Sequence, residues 1–291
     1  MRAVVTVVLW WFTTVALAVA IPAAWAQTNI VDEDGYATLA RKAAGDPALQ
    51  SAMASELATR AMALITDRHG PRYPIDSSAV HAAAAAFTAG PSFPPLFAQV
   101  NRAAHAWLFS ASPPGGTGAQ WLVDLAPLLN DDSLRQMLSG YQVQAPATLT
   151  VPLTVSAPQP LRPGQLRQVG VWGPWVSIGA AAVAGVCGLL TLVATRRRGR
   201  ALTSLGVSAL LVGAGGWAVI EVGGRYVDDA LNHTAGDIRR MADVLVGHAE
   251  DGMHLWLSLT LVAGAALVML GVLVAALGSL VSVRGRGGRT S

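Results

Sequence analysis

Four stretches of this chain, residues 3–21, 169–195, 201–220 and 255–283, carry no charged side chain. A helix needs about 20 mainly apolar residues to cross ~30 Å of hydrocarbon, and each stretch is long enough. In lipid every backbone N–H and C=O must find a partner within its own segment, so each stretch is read as a transmembrane helix. The balance of the whole chain agrees, with 53% of residues hydrophobic and only 13% charged, against ~25% charged in soluble domains.

Arginine placement predicts the orientation. Arg2 precedes the first stretch; Arg196, Arg197, Arg198 and Arg200 fill the link between the second and third; Arg284, Arg286 and Arg289 follow the fourth. No acid lies in these segments, whereas residues 27–168 and 221–254 hold all 17 acids. Basic residues collect on the cytoplasmic side of membrane proteins, so both termini and the link are expected there. Trp25, Trp172, Trp175, Trp217 and Trp256 then fall near the outer interface, where indoles prefer to lie.

The expected layout is an N-terminal anchor over 1–26, a domain outside the cytoplasm over 27–168, and spans at 169–195, 201–220 and 255–283. The arginine link covers 196–200, a second outer segment 221–254, and a cytoplasmic tail 284–291. The first stretch admits two readings. Ala24-Trp25-Ala26 before Gln27 has small residues where a leader peptidase cleaves, while about 19 apolar residues exceed the usual 7–15 of a leader. Both readings stay open.

Residues 27–168 read as mainly α. Asp46-Pro47 forms an N-cap and first helical residue, followed by Leu49, Met53, Leu57, Ala61 and Leu64 on one face. A second helix is expected from Asp76 to Phe87, stopped by Gly90-Pro91. A third has Ser92 as its cap and Leu96, Val100, Ala103 and Trp107 as its stripe. Asp131 or Asp132 caps a short helix to Leu138. Minor β structure is expected near 121–125 and near 148–155, where Pro152 restricts the segment to a sheet edge. Pro113 to Gly116 reads as a turn and 156–168 as a stiff spacer. The fold class is therefore mainly α, a four-helix transmembrane unit with a mostly helical domain.

Asp34-Gly35-Tyr36-Ala37-Thr38-Leu39, Asp46-Pro47-Ala48-Leu49-Gln50, the helix from Phe93 to Trp107, Gly115-Gly116, Val123-Asp124-Leu125 and the arginine link together resemble a group of actinobacterial four-pass membrane proteins. In that group a helical domain outside the cytoplasm lies between the first two spans. The resemblance covers nearly the whole chain, implies a layout and no activity, and favours a retained first span.

Chemistry-bearing motifs are sparse. Val227, Leu231, Thr234, Ile238, Met241 and Leu245 alternate at four and three, predicting an amphipathic helix of about 20 residues that packs on the domain or meets a partner. His248, Glu250, Asp251 and His254 are of the types that ligate zinc but lack a metalloenzyme spacing, so no metal or other cofactor is expected. His69, His81 and His105 are scattered. No serine lies in a nucleophile elbow, no phosphate loop is present, and Cys187 is alone in an apolar run. Gly213, Gly215 and Gly216, with Ala209, favour close approach of helices. No basic stripe interleaved with aromatics points to nucleic acid.

The sequence thus leads to a non-enzymatic protein of the cell membrane that displays a helical domain outside the cytoplasm for contact with an envelope protein, lipid or cell wall, with the lipid bilayer itself and a second copy as further partners. The expected contact residues are Val227, Leu231, Ile238, Met241 and Leu245, with Phe93, Phe97 and Trp107. Two alternatives are an accessory subunit for transport and a membrane-bound hydrolase with a metal near 248–254. Against the first, the spans offer only hydroxyls and Cys187 inside the membrane.

Overall fold

The computed structural model describes residues 2–109, 122–152, 164–195, 198–231 and 236–287. The expected turn at Pro113 to Gly116, most of the 156–168 spacer, and Arg196, Arg197 and Arg289 lie outside the described residues. So do the side chains of Val227, Leu231, Arg198, Arg284 and Arg286. The chain divides into two compact units, Met1–Gln27 with Val171–Gly224 and Asp251–Ser291, and Thr28–Gly170 with Arg225–Glu250.

The first unit is built from α1 (Arg2–Ala26) and most of α8 (Arg167–Ala194) and α9 (Arg198–Leu231), with α10 (Gly236–Gly287) from Asp251 onward. The end of α9 from Arg225 and the start of α10 to Glu250 belong to the second unit. Four helices are long and apolar enough to cross a membrane, over Val4–Val31, Arg167–Ala194, Gly199–Arg225 and Gly236–Leu277. Their outward faces remain apolar: Val193 is 82% exposed, Trp175 72% and Val262 67%. Surfaces like these are stable only against lipid or another apolar partner, and the chain is compatible with a multi-pass integral membrane protein.

The second unit is a helical domain of α2 (Glu33–Ala43), α3 (Pro47–His69), α4 (Ser77–Thr88), α5 (Phe93–Phe109), α6 (Ala126–Leu129) and α7 (Asp132–Gly140), with β1 (Leu122–Asp124) and β2 (Thr150–Pro152). Four aspartates start its helices. Asp32, Asp46, Asp76 and Asp131 each accept a backbone N–H of the first turn, relieving donors that the helix cannot satisfy itself. Pro47 at the first position of α3 supplies a ready-made helical φ.

The expected α3 face is found, with Leu49, Met53, Leu57 and Ala61 all buried. In α5 the buried stripe is Phe93, Phe97, Val100, Ala104 and Trp107, whereas Ala103 is exposed. The face is rotated from the sequence expectation because phenylalanine at 93 and 97 buries far more area than Leu96 and Ala103. Phe93 packs edge-on against Phe87 of α4, ring centroids 5.7 Å apart. Leu128, Leu129, Leu134 and Leu138 close the same core.

The strands pair antiparallel with Val123 opposite Val151, and Pro152 occupies the end of the ladder, opposite Leu122. Asp124 fixes the corner, its Oδ1 accepting from the amides of Ala126 at 2.9 Å and Leu149 at 2.7 Å. At the end of the expected spacer, the amides of Gly164 and Leu166 donate to Trp107 O and Leu108 O, so that part is tied to α5.

Of the expected 227–245 stripe, Val227 and Leu231 lie in the last described turns of α9 and Ile238, Met241 and Leu245 in the first described turns of α10, while Thr234 lies outside the described residues. Two helices are not foreseen in the sequence, the single turn α6 and α2, which carries Glu33 and Asp34 in its first turn and Arg41 and Lys42 in its last. Gly35 is required there because a Cβ would overlap the Thr28 carbonyl of the preceding π-helical turn, Gln27–Val31.

Two outcomes follow from this packing. Leu57→Ala, at a fully buried site, should destabilise the domain by about 2–5 kcal/mol, read as loss of hydrogen-exchange protection across α3 in the detergent-solubilised chain. The second concerns acid. Burial pushes the Asp131 carboxyl up, but hydrogen bonds from the Ser133 hydroxyl and amide and from the Ser92 hydroxyl, with the Arg135 charge, outweigh it and hold the carboxyl below its usual range. A carboxyl depressed by folding stabilises the fold above its unfolded pKa of about 3.9, and that contribution is lost as pH falls through the folded value. Asp131→Asn should therefore lower the melting temperature at pH 6, and its difference from the native chain should shrink below about pH 4.

Candidate functional site

Among the described residues of the helical domain, polar side chains from three elements converge on a groove of about 640 Å3. Its floor follows from helical periodicity. Gln50, Ser51, Ala54 and Ser55 recur on one face of α3, and His81, Ala82, Ala85, Thr88 and Ala89 on one face of α4. Alanine and serine are small, so two neighbouring helices leave a trough between them. Asp237 and Arg240, one turn apart at the start of α10, complete the lining.

The polar groups of the trough are available to a ligand to different degrees. Thr88 is buried and donates to Ala85 O at 3.2 Å, and Gln50 Nε2 donates to Ala44 O at 3.0 Å. His81 and Ser51 are exposed. Arg240 Nη2 lies 3.5 Å from Asp237 Oδ1, a solvent-facing pair of little intrinsic strength. Among the described residues, no hydrogen bond joins His81 to Ser51, Ser55 or Asp237. Among the described residues, the groove thus shows no hydrogen-bonded pair of nucleophile and base.

The expected contact residues are placed differently. Phe93, Phe97 and Trp107 are buried at 0%, 4% and 6% exposure, so they belong to the core and present no contact face. Their stripe saves more free energy inside the domain than it could offer to solvent. Met241 and Leu245 pack with Val244 against the domain core, and Ile238 is half-buried.

Four of the histidines have local partners. His69 Nε2 is 2.6 Å from Tyr141 O, and its ring stacks on Tyr73 at 4.3 Å. His105, buried, bonds Ile30 O at 3.0 Å and stacks on Phe109. His248 Nδ1 bonds Val244 O, while His254 stacks on Trp217 with centroids 4.1 Å apart. Glu250 is half-buried and Asp251 exposed. Among the described residues no three His, Cys, Asp or Glu side chains are grouped to hold a metal ion.

The four-helix unit is organised by glycine. Gly199, Gly206 and Gly213 recur every seven residues along α9, and Gly264 and Gly271 have the same spacing on α10. A Cβ at Gly206 would lie 2.7 Å from Gly264 O and from Val268 N, and one at Gly199 would lie 2.6 Å from Gly271 O. Backbone meets backbone, a distance that only glycine permits. Gly216 and Gly213 receive Leu257 and Leu261, while Gly215 faces open space. Of the expected trio, two glycines make the approach. The seven-residue repeat was the legible signal for the rest.

The comparisons add no assignment: no family model, curated protein or solved structure matches the chain.

Gly206→Leu should therefore destabilise the α9–α10 pair by about 1–3 kcal/mol or more, as overpacking does, whereas Gly215→Ala should leave it unchanged. Resistance of the purified protein to unfolding in mixed detergent distinguishes them.

Proposed function

We propose that this is a non-enzymatic membrane protein of the bacterial cell envelope that displays its helical domain outside the cytoplasm and receives a segment of another envelope protein in the α3–α4 groove. The observation that carries this reading is the groove itself, an exposed trough of small residues with exposed His81 and Arg240 on its margin. A trough of this kind suits a helix or extended segment laid along it, with anchors between helices and polar contacts at the edge. Among its lining residues there is no Trp, Tyr or Phe ring to stack on a sugar, and too little continuous apolar surface to hold an acyl chain. A protein segment fits best.

The arginine bias supports the sidedness, with the 196–200 link and both termini in the cytoplasm. The resemblance to actinobacterial four-pass proteins supports the same layout. Against a transport role, the hydroxyls buried in the apolar unit are satisfied within their own helices: Thr13 donates to Leu9 O, Thr191 to Cys187 O and Ser208 to Ser204 O.

Photocrosslinking in native membranes tests the reading. A benzophenone side chain at Ala82 or Ala85 should yield a discrete protein adduct, and one at Thr59, exposed outside the groove, should not. Arg240→Glu should reduce that adduct several-fold. Equal adducts from all three sites, or adducts to lipid or glycan alone, would reject the groove as a protein-binding site. With Cys187→Ala as background, an impermeant thiol reagent should label Thr59→Cys and spare Arg200→Cys.

A further inference from the structure

We infer that α1 is a permanent member of the membrane unit and that its leader-like Ala24-Trp25-Ala26 segment is protected from cleavage by being packed as helix against α8 and α10. The inference rests on the multi-pass reading, and is independent of what the groove binds.

Three contacts carry it. The first is polar and lies within the bilayer-length part of α1. Thr14 Oγ1 donates to Ser208 Oγ at 2.8 Å, and Trp10 Nε1 donates to Ser204 O at 3.0 Å, so two successive turns of α1 are bonded to two successive turns of α9. Thr13, Ala16 and Ala20 continue that buried face. A leader that passes through the membrane only to be removed has no need of side chains matched to a particular partner helix. Hydrogen bonds between helices in membranes stabilise a packed span and fix its register.

The second and third contacts lie on either side of the bond a peptidase would cut, Ala26–Gln27. Trp25 is 8% exposed, and its indole edge rests on Gly252 of α10, where a Cβ would be 3.3 Å from Nε1. Gln27 Oε1 is buried against Gly173 of α8, where a Cβ would approach to 2.5 Å. Both glycines make room for side chains of the cleavage-like segment. The backbone there is helical through Ala26 and continues as a π-helical turn over Gln27–Val31. A leader peptidase must bind its substrate as an extended strand, with the small residues at 24 and 26 in its pockets. Helix geometry and the Trp25 and Gln27 contacts both oppose that conformation. The small residues at 24 and 26 are then explained by helix packing, which prefers alanine for the same reason a peptidase does: little volume.

Full-length protein carrying a C-terminal tag, purified from membranes, provides the test. Intact mass should correspond to a chain that retains residues 2–26, and a mass starting at Gln27 would overturn the inference. With Cys187→Ser as background, Thr14→Cys with Ser208→Cys should form an intramolecular disulfide in native membranes in most molecules. An intact chain that gives no disulfide would equally overturn the membership of α1 in the bundle. Gly173→Ile with Gly252→Ile should displace Gln27 and Trp25 and release a fraction of chains beginning at Gln27. If that double variant inserts and is wholly intact, packing is not what protects the segment. Failure of groove crosslinking would leave each of these results unaffected.

Discussion

The approach of α9 to α10 is the contact on which the apolar unit depends. Between helices in a bilayer there is no water to expel, so attraction comes from dispersion and from polar contacts, both of which fall off steeply with distance. Gly206 and Gly264 remove the side chains that would keep the two backbones apart, and the carbonyl of each lies where the other's Cβ would be. Around that pair the larger residues interlock: Leu257 and Leu261 enter the spaces at Gly216 and Gly213, and Thr203 lies against Gly271. Farther along, Trp217 stacks on His254.

The helical domain is held by a different balance. Its core is hydrophobic in the ordinary sense, with Leu49, Leu57, Ile65, Phe93 and Leu128 fully removed from water. Every helix leaves the first backbone N–H groups at its start without a partner inside the helix. Aspartate caps at 32, 46, 76 and 131 answer that need at each start. Asp124 does the same for the strand corner, where two amides would otherwise lack acceptors. The groove is a by-product of this economy: where α3 and α4 meet through alanine and serine, the helices fit closely below and leave a trough above.

Much of this could be read before any coordinates. Uncharged length marks a span because the bilayer tolerates little else, and an Asp-Pro pair or Asp76 marks a helix start because the capping chemistry is local. The β segments near 123 and 151 and the helix capped by Asp131 were legible for the same reason. The α2 helix was missed because glycine at 35 argues against a helix, and its requirement arises from Thr28, seven residues back. Phe93, Phe97 and Trp107 looked like a contact face because a stripe of large apolar residues reads alike whether it faces a partner or a core. The groove could not be read at all, since Ser51, His81 and Arg240 are far apart in the chain.

The sequence by itself determined the number of apolar helices, the helical character of the domain and most of its caps, because each depends on residues within a turn or two of one another. Only the tertiary structure decided that the aromatic stripe of α5 is core and that α1 is bonded through Trp10 and Thr14 to α9. Those outcomes depend on which surfaces meet. Which apolar face finds which partner is a competition among distant segments for burial and close packing, and periodicity says that a face exists without saying what covers it.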